Sequence, residues 1–254
     1  MIGRRLLGVA VFALALGVWE VWARSESSFL FRPASEVVES AWQVWPTRDF
    51  LATVAASLKR LAAGYAAGSV LGIGVGVALG ASRGARRAFE PLTEFLRAIP
   101  PVAIVPVAIV ILGLGDAMRI AVIAFGVCFP VLVNAAEGVR AVSPEARDTA
   151  AMLQVRPVER LYRLYLPAAL PSIVAGLRVA LSIGLALVVI SEFVGAQDGL
   201  GRYILFQQRQ FNVPEMYGGI FFLGLLGYVL NQAFLVAERR ALAWHYGAAG
   251  ELAR

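Results

Sequence analysis

The sequence contains few residues that could perform chemistry inside a folded core. Cys128 and His245 are the single cysteine and the single histidine of the 254-residue chain, so the sequence offers no cluster with metal-ligand spacing. Glu20, Arg178 and Glu192 lie within long apolar runs, but they are too scattered to form an acid-base or nucleophilic set. We therefore predict no catalytic residues, no metal site and no cofactor.

A nucleotide-binding loop is also missing from the sequence. No stretch matches the pattern Gly-x-x-x-x-Gly-Lys-Ser/Thr, in which the backbone amides of a glycine-rich loop hold nucleotide phosphates. If this chain takes part in an ATP-driven process, ATP hydrolysis is therefore expected on a separate partner chain. We predict that the chain is not an enzyme.

The most charged stretch, residues 143–171, separates two long apolar runs and has the sequence SPEARDTAAMLQVRPVERLYRLYLPAALP. Ser143 can cap a helix and Pro144 suits the first helical position, while the negative charge of Glu145 is favoured by the helix dipole. We predict a short helix from here to about Val155.

A second short helix is predicted to begin at Pro157, because a proline disfavours helical geometry at the residue before it. This helix is amphipathic, and we predict that Pro167 ends it. Its apolar side carries Val158, Leu161, Tyr162 and Tyr165, and its charged side carries Arg156, Glu159, Arg160 and Arg163.

The sequence around this stretch is typical of a membrane protein, since 59% of the residues are hydrophobic and 16% are charged. The net charge is +6, but the arginines lie in short loops between apolar runs, which favours membrane topology over nucleic-acid binding. The first run also fits a cleaved signal peptide. We predict an all-α membrane protein with about six transmembrane helices, at residues 6–23, 61–82, 98–115, 119–137, 173–193 and 216–237.

The second apolar run has a glycine at every fourth position. Small residues at this spacing form a ridge on one side of a helix, and such a ridge lets a neighbouring backbone approach closely in lipid. We predict that the ridge packs against another helix. Its members are Gly64, Gly68, Gly72, Gly76 and Gly80.

Prolines interrupt the third and fourth runs. A proline at membrane depth is tolerated where neighbouring protein or a water-filled cavity satisfies the freed carbonyl, so both runs are candidates for lining a path. Glu192 is a further candidate, because ionisable residues within spans are often functional. It could instead reach the outer membrane surface or pair with Arg202. The prolines are Pro100, Pro101, Pro106 and Pro130.

The long polar interval after the first run is predicted to contain an amphipathic helix that lies on the membrane surface. Pro33 opens this helix and Pro46 closes it. One side carries Val37, Val38, Ala41, Trp42 and Trp45.

The distribution of positive charge predicts the orientation. With the amino terminus inside, 14 of the 23 Lys and Arg residues lie in cytoplasmic segments and 8 in external segments. An excess of positive charge marks the cytoplasmic side of membrane proteins. Both termini and residues 143–171 are therefore predicted to be cytoplasmic.

The charged stretch resembles the EAA motif, a cytoplasmic loop in the membrane permease subunits of bacterial ABC importers. The family pattern is Glu-Ala-Ala, three residues, Gly, and about a dozen residues to Leu-Pro. The resemblance implies that this loop is a coupling helix that contacts the ATPase. The acidic character of the Glu is kept, but a glutamine replaces the Gly that allows a tight turn. The pattern falls without gaps on Asp148, Thr149, Ala150, Gln154, Leu166 and Pro167.

Three further stretches are similar to the importer branch for nitrate, sulfonates, taurine and thiamine precursors: PTRDFLATVAASLKRLAAGYAAG, FEPLTEFLRAIPPVAIVPVAIVILGLGDAMRI and SEFVGAQDGLGR. The resemblance implies a type I importer permease of the bacterial inner membrane that moves a small solute inward. Its implied partners are two ABC ATPase subunits, a second permease copy and an external solute-binding protein.

The same resemblance suggests three regions. Residues 1–50 would hold the first transmembrane helix and an external amphipathic segment, residues 51–238 the permease core, and residues 239–254 a cytoplasmic tail. The competing interpretation is an ATP-independent secondary transporter or channel, whose buried ionisable residues would couple or select the solute. An intramembrane enzyme is a weaker alternative, because the sequence offers no convergent catalytic set.

Overall fold

The structure is a computed structural model that describes residues 2–26 and 30–244, and within the first helix it leaves out the side chains of residues 2–6, 8, 9 and 12. The end of the predicted cytoplasmic tail, residues 245–254, lies outside the described residues. In the described ranges the chain forms helices and no strand, as expected for an all-α protein. The helices are α1 (Ile2–Glu26), α2 (Ala34–Val44), α3 (Arg48–Ala81), α4 (Arg83–Ala98), α5 (Val105–Leu112), α6 (Asp116–Arg140), α7 (Pro144–Met152), α8 (Pro157–Arg160), α9 (Leu166–Glu192), α10 (Leu200–Arg209) and α11 (Val213–Ala241).

Four helical segments of the described chain are long and apolar enough to cross a membrane: α3, α6, α11 and the continuous segment Pro157–Glu192. A fifth crossing is possible if α4 and the segment Pro101–Leu112 together count as one bent span. Helix α1 covers the predicted first apolar run, but several of its side chains are not described. The described residues thus contain four or five candidate spans, and the full count of about six stays a prediction.

The predicted third span, residues 98–115, is not one straight helix. Helix α4 ends at Ala98, the chain bends by 90°, and a 3₁₀ turn at Pro101–Ile104 leads into α5. The cause is local, because Ile99 and Pro100 precede prolines and adopt extended backbone with ψ of 120° and 128°. The helical part after the bend has only 12 residues, about 20 Å of rise, which is less than the thickness of a bilayer core.

Two prolines do not have the effect that the sequence suggested. Helix α6 continues through Pro130, and the prediction that Pro167 ends a helix is wrong. Instead, α8 passes into a π-helical turn at Leu161–Tyr165 and then into α9 without interruption. The wider π turn just before Pro167 changes the backbone hydrogen-bonding pattern where the proline cannot donate, so the helix survives.

The chain divides into two compact units, of which the first comprises residues 1–57 and 197–226. Aromatic side chains pack in this unit: the ring of Trp19 stacks on Phe221 with centroids 5.7 Å apart, and Phe50 meets Phe222 edge-on at 4.9 Å. The carboxylate of Glu20 accepts hydrogen bonds from the backbone N–H and the hydroxyl of Ser35, at 3.0 and 2.8 Å. Glu20 thereby caps the start of α2, where Pro33 provides no side-chain cap.

Helix α2 begins after Pro33, as predicted, but its apolar residues do not all face one way. Val37 and Ala41 are buried in the first unit, whereas Val38 and Trp42 are exposed. The exposed residues, together with Trp45 and Pro46, line an open apolar groove. This arrangement is consistent with a helix that is held by the protein on one side and meets the membrane surface on the other.

The second unit comprises residues 58–196 and 227–254, of which the structure describes residues up to 244. Its core is formed where α6 packs against the part of α3 that belongs to this unit and against α9. Val122, Ile123, Val127 and Val131 on α6 are fully buried at the centre of this core. The three regions predicted from the sequence, divided at residues 50 and 238, were defined by expected role and not by compact packing. This division stays a prediction.

Candidate coupling segment and charged sites

Helix α7 begins where the sequence predicts. The hydroxyl of Ser143 accepts a hydrogen bond from the backbone N–H of Ala146 at 3.3 Å, and Pro144 occupies the first turn together with Glu145. Both the cap and the favourable charge stabilise the helix start. The helix ends at Met152, about one turn earlier than expected.

The end of α7 is a tight turn in which Gln154 has a positive φ of 52°. The backbone N–H of Gln154 donates to Ala151 O at 3.0 Å, and the N–H of Val155 donates to Ala150 O at 3.1 Å. These two bonds form a Schellman motif, in which the left-handed position is usually a glycine. The turn of the EAA pattern is therefore present, although a glutamine makes it at a conformational cost.

Arg147 attaches α7 to the end of α6. Its Nη2 atom donates to the carbonyl oxygens of Val139 at 2.8 Å and Arg140 at 3.0 Å, which lie in the last turn of that helix. Its guanidinium carbon also lies 5.9 Å from the ring centre of Tyr165. The side chain is half-buried, and it adds a charged donor to carbonyls that have no donor within α6 itself.

Helix α8 is tied to the same turn, because Arg160 Nε donates to Val155 O at 2.8 Å. The predicted apolar side of this segment is divided between core and surface. Leu161 and Tyr165 pack against the buried cluster around Val139, whereas Val158 and Tyr162 are exposed. The exposed apolar residues of this region also include Met152 and Leu153 at the end of α7, which are 84% and 72% accessible.

The residues of the EAA pattern do not form one compact site. Thr149 and Ala150 line a shallow groove between α7 and α8, with Leu153 and Val155. Asp148 and Gln154 are exposed outside this groove. Leu166 packs against the core, and Pro167 is exposed in the first turn of α9.

All five glycines of the predicted ridge face α6. A Cβ atom added at Gly72 would lie 2.9 Å from Val131 Cβ, and one added at Gly80 would lie 2.7 Å from Val139 Cβ. At Gly64 the distance to Ile123 Cβ would be 2.6 Å. The residue numbers rise together along both helices, so α3 and α6 run parallel at backbone contact distance. Gly74, which is outside the ridge, has no heavy atom within 4 Å of such a Cβ.

The prolines singled out as path candidates are spread through the second unit. Pro101 lies beside Gly126 of α6, at 3.2 Å from the Cβ that this glycine lacks. Pro130 is half-buried, and its carbonyl accepts a hydrogen bond from Asn134 Nδ2 at 2.8 Å. Pro100 and Pro106 are exposed. The described contacts do not bring the four together, and their role in a path stays a prediction.

Glu192 is buried and belongs to a cluster of charges whose outer member, Asp116, is 62% exposed. Its Oε1 atom accepts a hydrogen bond from Arg60 Nη1 at 2.9 Å, and the Nε atom of Arg60 donates to Asp116 Oδ1 at 2.7 Å. Arg119 lies 3.5 Å from the same Asp116 oxygen and donates to Val194 O at 3.2 Å. The side chain of Glu192 is fully buried, and that of Arg60 is 6% accessible.

This ionic cluster connects α3, α6 and α9 at the end of α6 that carries Asp116. Glu192 was a candidate from the sequence, but its partner Arg60, which is 132 residues away, was not. The sequence did contain a weak signal for this cluster. The apolar runs that form α3, α6 and α9 each have a charged residue at the end that lies on the same predicted side of the membrane. The side chain suggested as an alternative partner, Arg202, places its guanidinium 5.0 Å from the ring centre of Phe206.

Comparison with known proteins identifies similar sequences over most of the chain. Residues 68–240 match the family described as binding-protein-dependent transport system inner membrane component. A protein of Brucella melitensis named as a probable ABC transporter permease is 31% identical over 94% of this chain and 96% of its own length. The taurine transport system permease protein TauC of Escherichia coli is 29% identical over 94% of this chain and 90% of its own length.

The fold is similar to that of a solved structure. The MetNI methionine ABC transporter in its inward facing conformations contains a chain that matches with a TM-score of 0.61 and 23% sequence identity. The match covers 72% of this chain and 92% of that chain. It supports the predicted helical membrane fold.

Proposed function

Because this chain belongs to the family of binding-protein-dependent transport system inner membrane components and is a permease subunit of an ATP-driven importer, we propose that it works with separate ATPase chains. In this proposal two copies of the permease pair with two ATPase subunits and an external solute-binding protein. ATP is hydrolysed on the ATPase chains, and the permease carries the solute inward.

The observation that supports this proposal best is the way α7 is held. The helix end presents Met152 and Leu153 to the outside, and exposed apolar side chains of this kind are typical of a protein interaction site. At the same time Arg147 bonds it to the end of α6. The segment therefore combines a contact surface for an ATPase with a stiff attachment to the membrane helices.

The attachment also suggests how ATPase movement reaches the membrane. Arg147 connects α7 to α6, and Arg160 connects the turn after α7 to the continuous helix Pro157–Glu192. A displacement of α7 would therefore pass to two membrane helices as rigid-body motion rather than be absorbed in a flexible loop. We infer that α7 is the coupling helix, and that Asp148, Thr149 and Ala150 contribute to its ATPase interface.

The orientation follows from the charge distribution. The excess of Lys and Arg in residues 143–171 and in the other predicted inner segments supports a cytoplasmic position for α7, where the ATPase would be. A cysteine at the exposed Glu145, in a Cys128→Ala background, is expected to react with a membrane-impermeant thiol reagent only after the cells are opened. A cysteine at the exposed Gln208 should react in intact cells, and labelling of position 145 from outside would refute the orientation.

The solute is proposed to be a small oxyanion such as a sulfonate. The relative from Escherichia coli is named for taurine, and other matching permeases are named for aliphatic sulfonates and nitrate. Uptake of radiolabelled taurine and nitrate by cells that express the complete transport system would test this class directly.

The coupling role is tested with Ala150→Glu, which puts a larger, charged side chain into the groove between α7 and α8. An unpaired charge placed in a closed interface costs several kcal/mol, so the purified permease should lose its ATPase subunits and uptake should stop. The matched control is Ala151→Glu, the same change at the next residue, which is exposed and does not line the groove.

Ala151→Glu is expected to keep most of the bound ATPase. If Ala150→Glu retains the ATPase and transports normally, α7 is not the coupling helix. If uptake by the unmodified system continues after ATP has been depleted, the chain is an ATP-independent carrier and the proposed partnership is wrong.

A further inference from the structure

In helix α4 the apolar side is exposed and the charged side faces the protein, which is the reverse of a surface helix in a water-soluble protein. Its charged residues lie on one side and its large apolar residues on the other, and none of its residues is buried. Phe89, Leu92 and Phe95 on the apolar side are all at least 50% exposed. The charged side faces α6 instead. This arrangement is expected of a helix whose outer side meets lipid or another membrane helix.

The charged side of α4 forms one wall of an open cleft, and the second half of α6 forms the other wall. Apolar residues, including Leu132 and Val133, line the part of the cleft that lies deepest along α6. Three arginines and three glutamates also line it, so their formal charges balance. They are Arg86, Glu90, Glu94, Arg97, Glu137 and Arg140.

The cleft extends from the end of α6 toward the middle of the membrane. Arg140 is the last residue of α6, and Leu132 lies eight residues earlier, which corresponds to about 12 Å of helix rise. The charged lining residues of α6, Glu137 and Arg140, lie within about one turn of its end, and the lining that reaches deeper is apolar. Charged groups at the edge of the membrane contact protein partners or water, because lipid cannot solvate them. The balance of charges and the open shape therefore indicate a cleft that contains water.

Arg86 has hydrogen-bonding capacity that its neighbours do not use. Its Nε atom is excluded from solvent and has no hydrogen-bond partner, since the closest carboxylate oxygen, Glu90 Oε2, is 3.9 Å away. Arg97 differs, because its Nε and Nη2 atoms both approach Glu94 Oε2, at 2.8 and 2.7 Å. The Arg86 side chain as a whole is 33% accessible, so an acceptor that enters the cleft, such as a water molecule or an anion, can reach this guanidinium.

We propose that this cleft is the water-filled exit through which a small anionic solute reaches the cytoplasm, and that Arg86 is the residue that binds the anion there. A guanidinium group suits the oxygens of a sulfonate or similar oxyanion, because it presents several donors in a fixed plane. The glutamates keep the cleft neutral overall, so the anion binds weakly enough to leave. The anionic class and the cytoplasmic direction rest on the proposed function.

The test measures thiol reactivity in inside-out membrane vesicles that contain the full transporter, with Cys128→Ala as the parent. Thr93→Cys places a thiol in the cleft, and Leu92→Cys places one on the apolar side of the same helix. Thiols react as thiolates and therefore need water. Modification by the anionic reagent 2-sulfonatoethyl methanethiosulfonate is expected at Thr93→Cys and is expected to be at least tenfold slower at Leu92→Cys.

The anion preference is tested by adding Arg86→Gln or Arg87→Gln to the Thr93→Cys variant. Arg87 is adjacent but does not line the cleft, so it is a matched control. For each protein, the modification rate with the anionic reagent is divided by the rate with 2-(trimethylammonium)ethyl methanethiosulfonate. Thr93 lies seven residues from Arg86, about 10 Å of helix rise, and the charge acts on the two reagents in opposite directions. With screening by salt, Arg86→Gln should lower this ratio roughly two- to threefold, with little change for Arg87→Gln.

Two results would overturn the inference. An unreactive Thr93→Cys thiol would show that the cleft is closed or dry, and equal ratios for the two arginine variants would show that Arg86 does not attract anions. The proposed function is tested separately, by ATP-driven uptake in the Cys128→Ala parent. Loss of uptake in the Arg86→Gln variant with retained ATPase subunits would further support a role for Arg86 in solute passage. Absence of ATP-driven uptake in the parent, together with a reactive and anion-selective cleft, would refute the proposed function and leave the anion site in place.

Discussion

The two ends of α6 carry the same kinds of charged residue in opposite surroundings. At the Asp116 end, Glu192 and Arg60 are buried and bonded to each other between three helices. At the Arg140 end, Arg97 pairs with Glu94, but both side chains are about half exposed and border an open cleft. The ion pair of Arg60 with Glu192 is shut off from water, and the pair of Arg97 with Glu94 is open to it.

The difference shows that burial, rather than residue type, decides what an ion pair does. A buried pair contributes little when it is intact, but removing one partner leaves a charge that water cannot reach, and this is strongly destabilising. An exposed pair is already solvated, so either partner can be removed at little cost. The Asp116 end is therefore expected to matter for stability and the Arg140 end for passage of solute.

The largest effect is expected for Glu192→Ala. The buried guanidinium of Arg60 would lose a carboxylate at 2.9 Å, and the free energy of unfolding should fall by about 3 kcal/mol. The matched change at the other end is Glu94→Ala, which should cost at most about 1 kcal/mol because its pair with Arg97 is exposed. Unfolding in detergent, followed by circular dichroism, measures both, and equal losses would remove the distinction between the two ends.

The two ends of α6 differ only in their side chains if α3 and α6 stay together along their length. Gly76→Ala tests this contact, because the added methyl group would overlap the Leu132 carbonyl and lie 2.8 Å from Ala135 Cβ. Overpacking of this kind should lower the free energy of unfolding by about 2 kcal/mol. Gly74→Ala, on the same helix with open space around it, should cause no loss. Similar results for the two variants would mean that the helices separate readily.

A smaller effect is expected for Arg147→Ala at the Arg140 end. The carbonyls of Val139 and Arg140 would lose a charged donor, which should lower the free energy of unfolding by about 1.5 kcal/mol and weaken retention of the ATPase. Arg163→Ala is the control, since its side chain is 79% exposed and its pair with Glu159 is solvated. An unchanged ATPase content in both variants would show that the attachment of α7 to α6 is not needed for coupling.

The smallest effect is expected for Gln154→Gly, and it is stabilising. Glycine adopts the positive φ of this position without strain, but it also loses more backbone entropy on folding, so the net gain should be about 0.5 kcal/mol. Gln154→Ala should bring no gain, because alanine is strained at the same φ. A melting temperature that rises equally in both variants would exclude backbone strain as the cause.

Local features of the fold were predictable from the sequence. The start of α7 follows from Ser143 and Pro144 alone, because a cap and a first-turn proline act within one turn of helix. The glycine ridge is equally local, since its period defines a side of one helix, although the sequence could not say that α6 would occupy it. The bend before Pro101 follows from two consecutive prolines.

Features that depend on distant residues or on small backbone adjustments were not predictable. Arg60 and Glu192 meet across 132 residues, so no local pattern connects them. Pro167 was expected to end a helix, and the π turn that prevents this has no clear sequence signal. From the sequence alone Arg147 looks like an ordinary exposed charge, because only the fold brings the carbonyls at the end of α6 close to it.

The parallel contact between α3 and α6 has a mechanical consequence. Each glycine of the ridge receives a side chain or carbonyl of α6 at a separation that leaves no room for a methyl group, and this repeats at every turn. Sliding one helix along the other would have to lift all five contacts at once, so the pair resists shear and behaves as a single stiff rod. The connection at Ile99 and Pro100 is not held by such contacts, because its backbone is extended between α4 and the 3₁₀ turn. Movement of α4 relative to the α3–α6 pair would therefore occur mainly at this connection, next to the cleft that Arg86 lines.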